Sequence, residues 1–167
     1  PPQTDAELRD NTVGELRREV TSRHREATAL VDIALDGTVG RERNYRELLE
    51  TSERLAGVLA SRFAPGERVV VWAPNIPEWL FLEYACAFSG LILVTANPSF
   101  QEKELRYVLE QSGAVALFLV DSFRGNTMAD IAQRAVEGNR RIREVVNLED
   151  ETVLFKQGSK LGDLPGV

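Results

Sequence analysis

Glu67-Arg68-Val69-Val70-Val71-Trp72-Ala73, Leu91-Ile92-Leu93-Val94-Thr95 and Val115-Ala116-Leu117-Phe118-Leu119-Val120 are three short, almost continuously apolar runs. Helical patterns separate them, so Glu67 to Val120 reads strand, helix, strand, helix, strand. Strands without polar alternation are covered on both faces, which is the habit of parallel sheets joined by crossover helices. Pro65-Gly66 and Pro74 frame the first run. After it, Pro74-Asn75-Ile76-Pro77 forms a rigid turn, and Pro77 suits a first helical turn because its missing amide has no partner there. The helix predicted from Glu78 to Ser89 is apolar nearly all round (Trp79, Leu80, Phe81, Leu82, Tyr84, Ala85, Cys86, Ala87, Phe88), which predicts burial on most sides. It is too short to span a bilayer, so it wants protein cover. Gly90 ends it.

Downstream, Ser99 with Glu102 has capping-box spacing, and the helix that follows buries Leu105, Val108 and Leu109. Ser112-Gly113 closes it. Asp121 follows the third strand and is expected to cap a loop through its side chain. A helix over Asn126 to Glu137 places Met128, Ile131, Ala132, Ala135 and Val136 on one side, stopped by Gly138-Asn139. Arg143 to Leu148 reads as a fourth, weaker strand. From Glu149 onward no period is visible, and 149–167 reads as a connector to a further region.

Upstream, Thr12-Val13-Gly14-Glu15 is a capping-box pattern, predicting a helix to about His24 with Val13, Leu16 and Val20 on its apolar side. Its other face carries mixed charges, which describes a solvated helix. Ala29 to Leu35 reads as a strand, Asp36-Gly37 as a tight turn and Val39 to Arg43 as its return. Asn44 and Glu47 repeat the cap-and-acid spacing. The next helix aligns Leu48, Ser52, Leu55, Ala56, Leu59 and Phe63. The fold class is therefore α/β: a mostly parallel sheet with helices on both faces, order β-α-β-α-β-α-β, preceded by a helix and a short hairpin.

Composition removes several functions. The chain has 167 residues and a net charge of -6, which argues against a general nucleic-acid partner. The single cysteine, Cys86, excludes an internal disulfide and any cysteine-rich metal site, and is expected in the core. The single histidine, His24, sits among charges at a helix end and excludes paired-histidine zinc motifs. No apolar run approaches the roughly 20 residues of a membrane span, and Pro1 to Glu15 lacks a signal-peptide pattern. A cytoplasmic protein is expected. No glycine-rich phosphate loop is present, and the two prolines after the first strand replace the glycines of a dinucleotide fold. A phospho-acceptor receiver domain would keep its acceptor near Asp121, but it needs an acidic pair after the first strand, where Trp72-Ala73-Pro74 stands. No Ser-His-Asp or Cys-His set can be assembled. No catalytic, cofactor-binding or metal-ligating residue is expected among these residues.

Two segments resemble the acyl-adenylate-forming enzymes: acyl-CoA synthetases, peptide-synthetase adenylation domains and beetle luciferases. Asn44-Tyr45-Arg46-Glu47-Leu48 is similar to their early tyrosine-x-glutamate-leucine helix start. Phe88 to Pro98, followed by Glu104-Leu105-Arg106-Tyr107-Val108-Leu109 and Ser112-Gly113-Ala114, is similar to their segment with an asparagine-proline turn and an E-L-x-Y helix. Gly66-Glu67-Arg68-Val69 and Pro74-Asn75-Ile76-Pro77-Glu78-Trp79 fit between them. The likeness covers residues 12–148 and is strongest to fatty-acyl-CoA ligases.

The resemblance implies a two-step reaction in which a fatty acid or other carboxylic acid attacks ATP, and coenzyme A then takes the acyl group from the adenylate. ATP, Mg²⁺ and CoA are implied for a full-length enzyme. The family's phosphate loop ending in proline-lysine-glycine, its threonine-glutamate pair, its ribose-binding aspartate and its C-terminal lysine have no counterpart in these residues. The resemblance therefore implies an N-terminal subdomain over residues 1–148, structural and not catalytic, whose partner is the remainder of the enzyme. Tyr45, Asn97 and Pro98 match family motifs and are expected to shape turns and core. Self-association of the isolated chain through uncovered surfaces is also expected. The alternatives are a stand-alone binding or scaffold module of the same fold, and part of a peptide-synthetase adenylation domain.

Overall fold

A computed structural model describes residues 9–34 and 36–156. Helix α1 (Val13–Arg23) opens with the expected box: the Thr12 hydroxyl accepts from the Glu15 amide at 3.2 Å, and the Glu15 carboxylate accepts from the Thr12 amide at 2.8 Å. Strands β1 (Thr28–Ile33) and β2 (Val39–Asn44) pair antiparallel. Their turn uses the Asp36 carboxylate, which accepts from the Thr38 amide at 2.9 Å, and Gly37 at φ 85°. Leu35, placed in this strand by the sequence reading, lies outside the described residues. Helix α2 (Tyr45–Arg62) carries the second box, between Asn44 and Glu47, and buries the predicted stripe from Leu48 to Leu59.

Strand β3 (Arg68–Trp72), helix α3 (Pro77–Ser89), strand β4 (Ile92–Ala96), helix α4 (Glu102–Ser112) and strand β5 (Ala116–Leu119) follow the predicted alternation. A small hairpin, β6 (Ser122–Phe123) with β7 (Asn126–Thr127), precedes helix α5 (Met128–Val136), strand β8 (Glu144–Asn147) and helix α6 (Glu151–Leu154). The main sheet has the order β4-β3-β5-β8, and every pair in it is parallel. The β3-to-β4 and β4-to-β5 connections run in opposite directions along the sheet. Right-handed crossovers then place α3 on one face and α4 and α5 on the other. Accordingly α2 packs on α3, and α4 on α5. Val69 to Trp72 in β3 and Ala116 to Phe118 in β5 have no solvent exposure, as two-sided cover requires.

Five local expectations are corrected. Val13 and Leu16 of α1 are 55% and 43% exposed, and its docking face is instead Gly14, Arg17 and Thr21. Gly14 lies so near Phe88 that a Cβ there would sit 3.0 Å from its ring. The Arg17 guanidinium lies between the rings of Tyr45 and Tyr84, at 4.9 and 4.7 Å from their centroids. Small and cationic residues, not aliphatic ones, thus seat this helix. Second, α4 is boxed by Gln101 and Glu104, not by Ser99 and Glu102: the Glu104 carboxylate accepts from the Gln101 amide at 3.1 Å. The Ser99 amide is already used by the Asn97 side chain, at 2.9 Å, so the chain is still turning there.

Third, Asp121 works through its main-chain carbonyl, which accepts from the Ala129 amide at 3.1 Å. Fourth, Asn126 and Thr127 belong to the small hairpin and not to α5, which starts at Met128. Fifth, the stretch after Glu149 is not patternless. Asp150 caps α6, Leu154 is fully buried, and the Arg54 guanidinium lies 3.9 Å from the Phe155 ring centroid. Four residues are too few for a helical period to show. Residues 157–167 of the expected connector lie outside the described residues. Helix α3, expected to need cover from elsewhere, receives it from α2 and α1.

Candidate functional site

Open α/β sheets bind ligands beyond the carboxyl ends of their strands, where neighbouring strands send their connections to opposite faces. Here that point is the β3–β5 boundary, flanked by β4. The β3 end is sealed. Trp72, fully buried, donates its indole N–H to the Asn97 carbonyl at 2.9 Å, and the Phe100 amide donates to the same oxygen at 2.9 Å. The Asn97-Pro98 turn is thus bolted to β3, the shaping role expected of both residues. Tyr45 sits elsewhere, at the start of α2, where its ring stacks on Arg17 and its amide bonds the Ala27 carbonyl at 3.1 Å. The three motif residues do not converge on one site.

Beside the β3–α3 turn lies an apolar groove of about 350 Å³. One wall is Leu30, Val31, Asp32 and Ile33 of β1, and the other is Asn75, Ile76, Pro77, Trp79 and Leu80. Arg41 of β2 clamps the two walls together. Its guanidinium pairs with both oxygens of buried Glu78 in the first turn of α3, the Nη2–Oε2 contact being 3.1 Å, and its Nε lies 3.6 Å from Asp32. The hydrogen bond to Glu78 holds Arg41 above its ordinary pKa. Sequence reading did not find this groove. Its only trace there is a strand, β1, with aliphatic residues on both faces.

Other chemistry-bearing side chains are scattered. His24 is exposed, its ring 6.2 Å from that of Tyr45. Among the described residues, no group of three or more His, Cys, Asp or Glu is placed to hold a metal ion. A second hollow, of about 560 Å³ between the ends of α4 and α5, interleaves Glu110 and Glu137 with Arg140 and Arg141. Cys86 is buried, and burial pushes its thiol up to about 12. Almost no thiolate exists at pH 8, so iodoacetamide is expected to leave the folded chain unlabelled and to alkylate it fully in guanidinium. Because the folded value lies above the ordinary 9.0, Cys86 carries no penalty below pH 9 and increasingly destabilises the fold from there to about 12. Rapid labelling at pH 8 with the fold intact would contradict the burial.

The model of the AMP-binding enzyme family matches residues 16–163, and the chain belongs to that family. It is 33% identical over 136 residues to the putative acyl-CoA synthetase YngI of Bacillus subtilis, covering 78% of this chain and 23% of that protein. It is 31% identical over 156 residues to Triostin synthetase I of Streptomyces triostinicus, covering 93% of this chain and 28% of that protein. The apo structure of Mycobacterium smegmatis MbtA superposes with a TM-score of 0.72 at 26% identity, over 85% of this chain and 25% of that one. The chain spans about a quarter of the length of the relatives it matches. Among the described residues, no helix is long and apolar enough to cross a membrane.

Proposed function

We propose that this chain is the N-terminal, structural part of an ATP-dependent acyl-CoA synthetase, which converts a fatty acid, ATP and CoA into acyl-CoA, AMP and pyrophosphate. The observation that carries the reading is the 33% identity to the Bacillus relative over 136 residues, 78% of this chain. In this reading ATP, Mg²⁺ and CoA belong to the full-length enzyme. Residues 1–148 supply the α/β subdomain and no catalytic, cofactor-binding or metal residue. The physical reason is the turn after β3, where Pro74 and Pro77 remove amide donors that a phosphate would need. The proposed location is cytoplasmic.

Two measurements test it. The purified 167-residue chain is expected to show no ATP–pyrophosphate exchange with any fatty acid, and exchange above background would refute the structural role. A longer protein that contains this chain is expected to release AMP only when fatty acid, ATP and CoA are all present. Amino-acid-dependent exchange without CoA would favour the second reading, a peptide-synthetase adenylation domain, which the long match to Triostin synthetase I supports. In the isolated chain the open sheet edges, with Ile92 on β4 and Val145 on β8 exposed, are the surfaces for self-association. Light scattering should show mass rising with concentration, and a constant monomer mass would count against this.

A further inference from the structure

Helix α1 rests on α2 and α3 with little to hold it there. Of its 11 residues only Gly14 and Thr21 are buried, so docking removes little apolar surface from water. Val13 and Leu16 are exposed and add nothing to the seat. The Thr21 hydroxyl reaches the Tyr45 carbonyl at 3.5 Å, and the exposed Arg18–Glu53 pair closes at 2.8 Å. A long hydrogen bond and a solvated ion pair are both weak holds. Arg17, between the rings of Tyr45 and Tyr84, works partly against itself. Its Nε and Nη2 are shut from solvent and have no hydrogen-bond partner among the described residues. A buried donor left unmatched costs its desolvation, and a charged one costs more. Among the described residues, no main-chain hydrogen bond joins residues 9–23 to the rest of the chain. The first such ties come just after, where the Arg25 carbonyl accepts from the Arg46 amide and the Ala27 carbonyl from the Tyr45 amide, each at 3.1 Å.

Beneath α1 lies an aromatic strip. Tyr84 and Phe88 of α3 stack with their ring centroids 6.5 Å apart, and Tyr45 of α2 lies on the other side of the Arg17 guanidinium from Tyr84. Arg18 covers Phe88 at 5.1 Å from its ring centroid. We infer that α1 is a displaceable strap. It comes off α2 and α3 as one unit, hinged between His24 and Ala27, while the sheet stays folded, and its release bares Tyr45, Tyr84 and Phe88. Once off its seat a helix this short does not persist in water, so undocking and unwinding are one event. The unmatched donors of Arg17 set how readily the strap opens, because opening returns them to water. Access to the aromatic strip is thereby conditional on α1. The inference concerns contacts inside this chain and does not depend on the synthetase reading.

Hydrogen exchange of the 167-residue chain, read amide by amide, tests it. The amides of residues 17–24 should exchange about 100-fold faster than those of Leu117 to Leu119 in β5. Equal rates, meaning that α1 opens only when the sheet does, overturn the inference. Arg17→Met separates a strap from a rivet. Methionine keeps an unbranched side chain and a favourable contact with both rings, but carries no donor to strand. This variant should slow exchange in α1 about 10-fold and leave β5 unchanged. Faster or unaltered exchange in α1 overturns the role of the donors, and the inference with it. Gly14→Leu pushes the strap off, since a Cβ there already sits 3.0 Å from the Phe88 ring. It should strip α1 of protection, raise the fluorescence of added anilinonaphthalene sulfonate several-fold, and leave β5 exchange and the urea midpoint unchanged. A Gly14→Leu chain whose sheet loosens along with α1, or that fails to fold, shows that α1 is no separate unit and overturns the inference. So does one whose α1 is unprotected yet binds no dye, because no strip would then have been uncovered.

Discussion

Trp72→Ala is expected to cost about 3–5 kcal/mol of folding stability, the range for removing a buried tryptophan from a packed core. The side chain is among the largest fully buried ones and sits on a central strand, so neither face of the sheet can collapse into the space. The Asn97 carbonyl would keep the Phe100 amide as donor, so the loss is mainly one of packing. A domain of this kind has about 5–15 kcal/mol in all, and the variant should sit near the edge of folding at 37 °C. Trp72→Phe separates the terms: it keeps most of the volume, loses the indole N–H, and should cost about 1–2 kcal/mol. Urea unfolding followed by circular dichroism measures both, with Trp79 left as a fluorescence probe. An alanine variant within 1 kcal/mol of the parent would show that the sheet is not packed as described.

Arg41→Ala should have the next largest effect. It leaves the Glu78 carboxylate buried beneath the hairpin without its partner. Orphaning a fully buried charge costs about 3–5 kcal/mol, and because the Arg41 side chain is 47% exposed the expected loss is discounted to about 2 kcal/mol. Glu78→Gln removes the charge and should cost about 1 kcal/mol, part of it from losing an acid in the first turn of α3. The double variant should cost less than the two single changes added together, since once Glu78 is neutral the arginine has little to neutralise. The damage should be local. Exchange should quicken in β1 and β2 while the β5 amides stay slow. Additive costs, or a uniform loosening of the whole sheet, would mean that Arg41 does not join the hairpin to α3.

The main sheet was legible because β3 and β5 are apolar on both faces, and that signal survives without knowledge of neighbours. The boxes at Thr12 and Asn44 were legible because their partners lie three residues away. The box at Ser99 misled because Asn97, two residues earlier, takes the Ser99 amide for its own turn. The seating of α1 was hidden for another reason. Gly14 and Arg17 acquire meaning only when Phe88, Tyr45 and Tyr84 are brought beside them, and apolar periodicity does not register a glycine or a guanidinium between rings. The family likeness was readable in the order of its short segments, and the matched family confirms it. The groove was not, because its walls, Leu30–Ile33 and Asn75–Leu80, are more than forty residues apart and neither carries a recognisable motif.

The short terminal helix bears on how this polypeptide can be handled at the bench. Leu154 fills a place in the interior, and the Arg62 guanidinium joins Glu144 of β8 while lying 3.5 Å from the Leu154 carbonyl. A recombinant version stopped at Leu148, where the apolar rhythm fades, would open that end of the β8 flank to solvent and forfeit the stacking of Arg54 on Phe155. A version carried through Lys156 keeps this plug. The natural place to cut is after the plug, not before it.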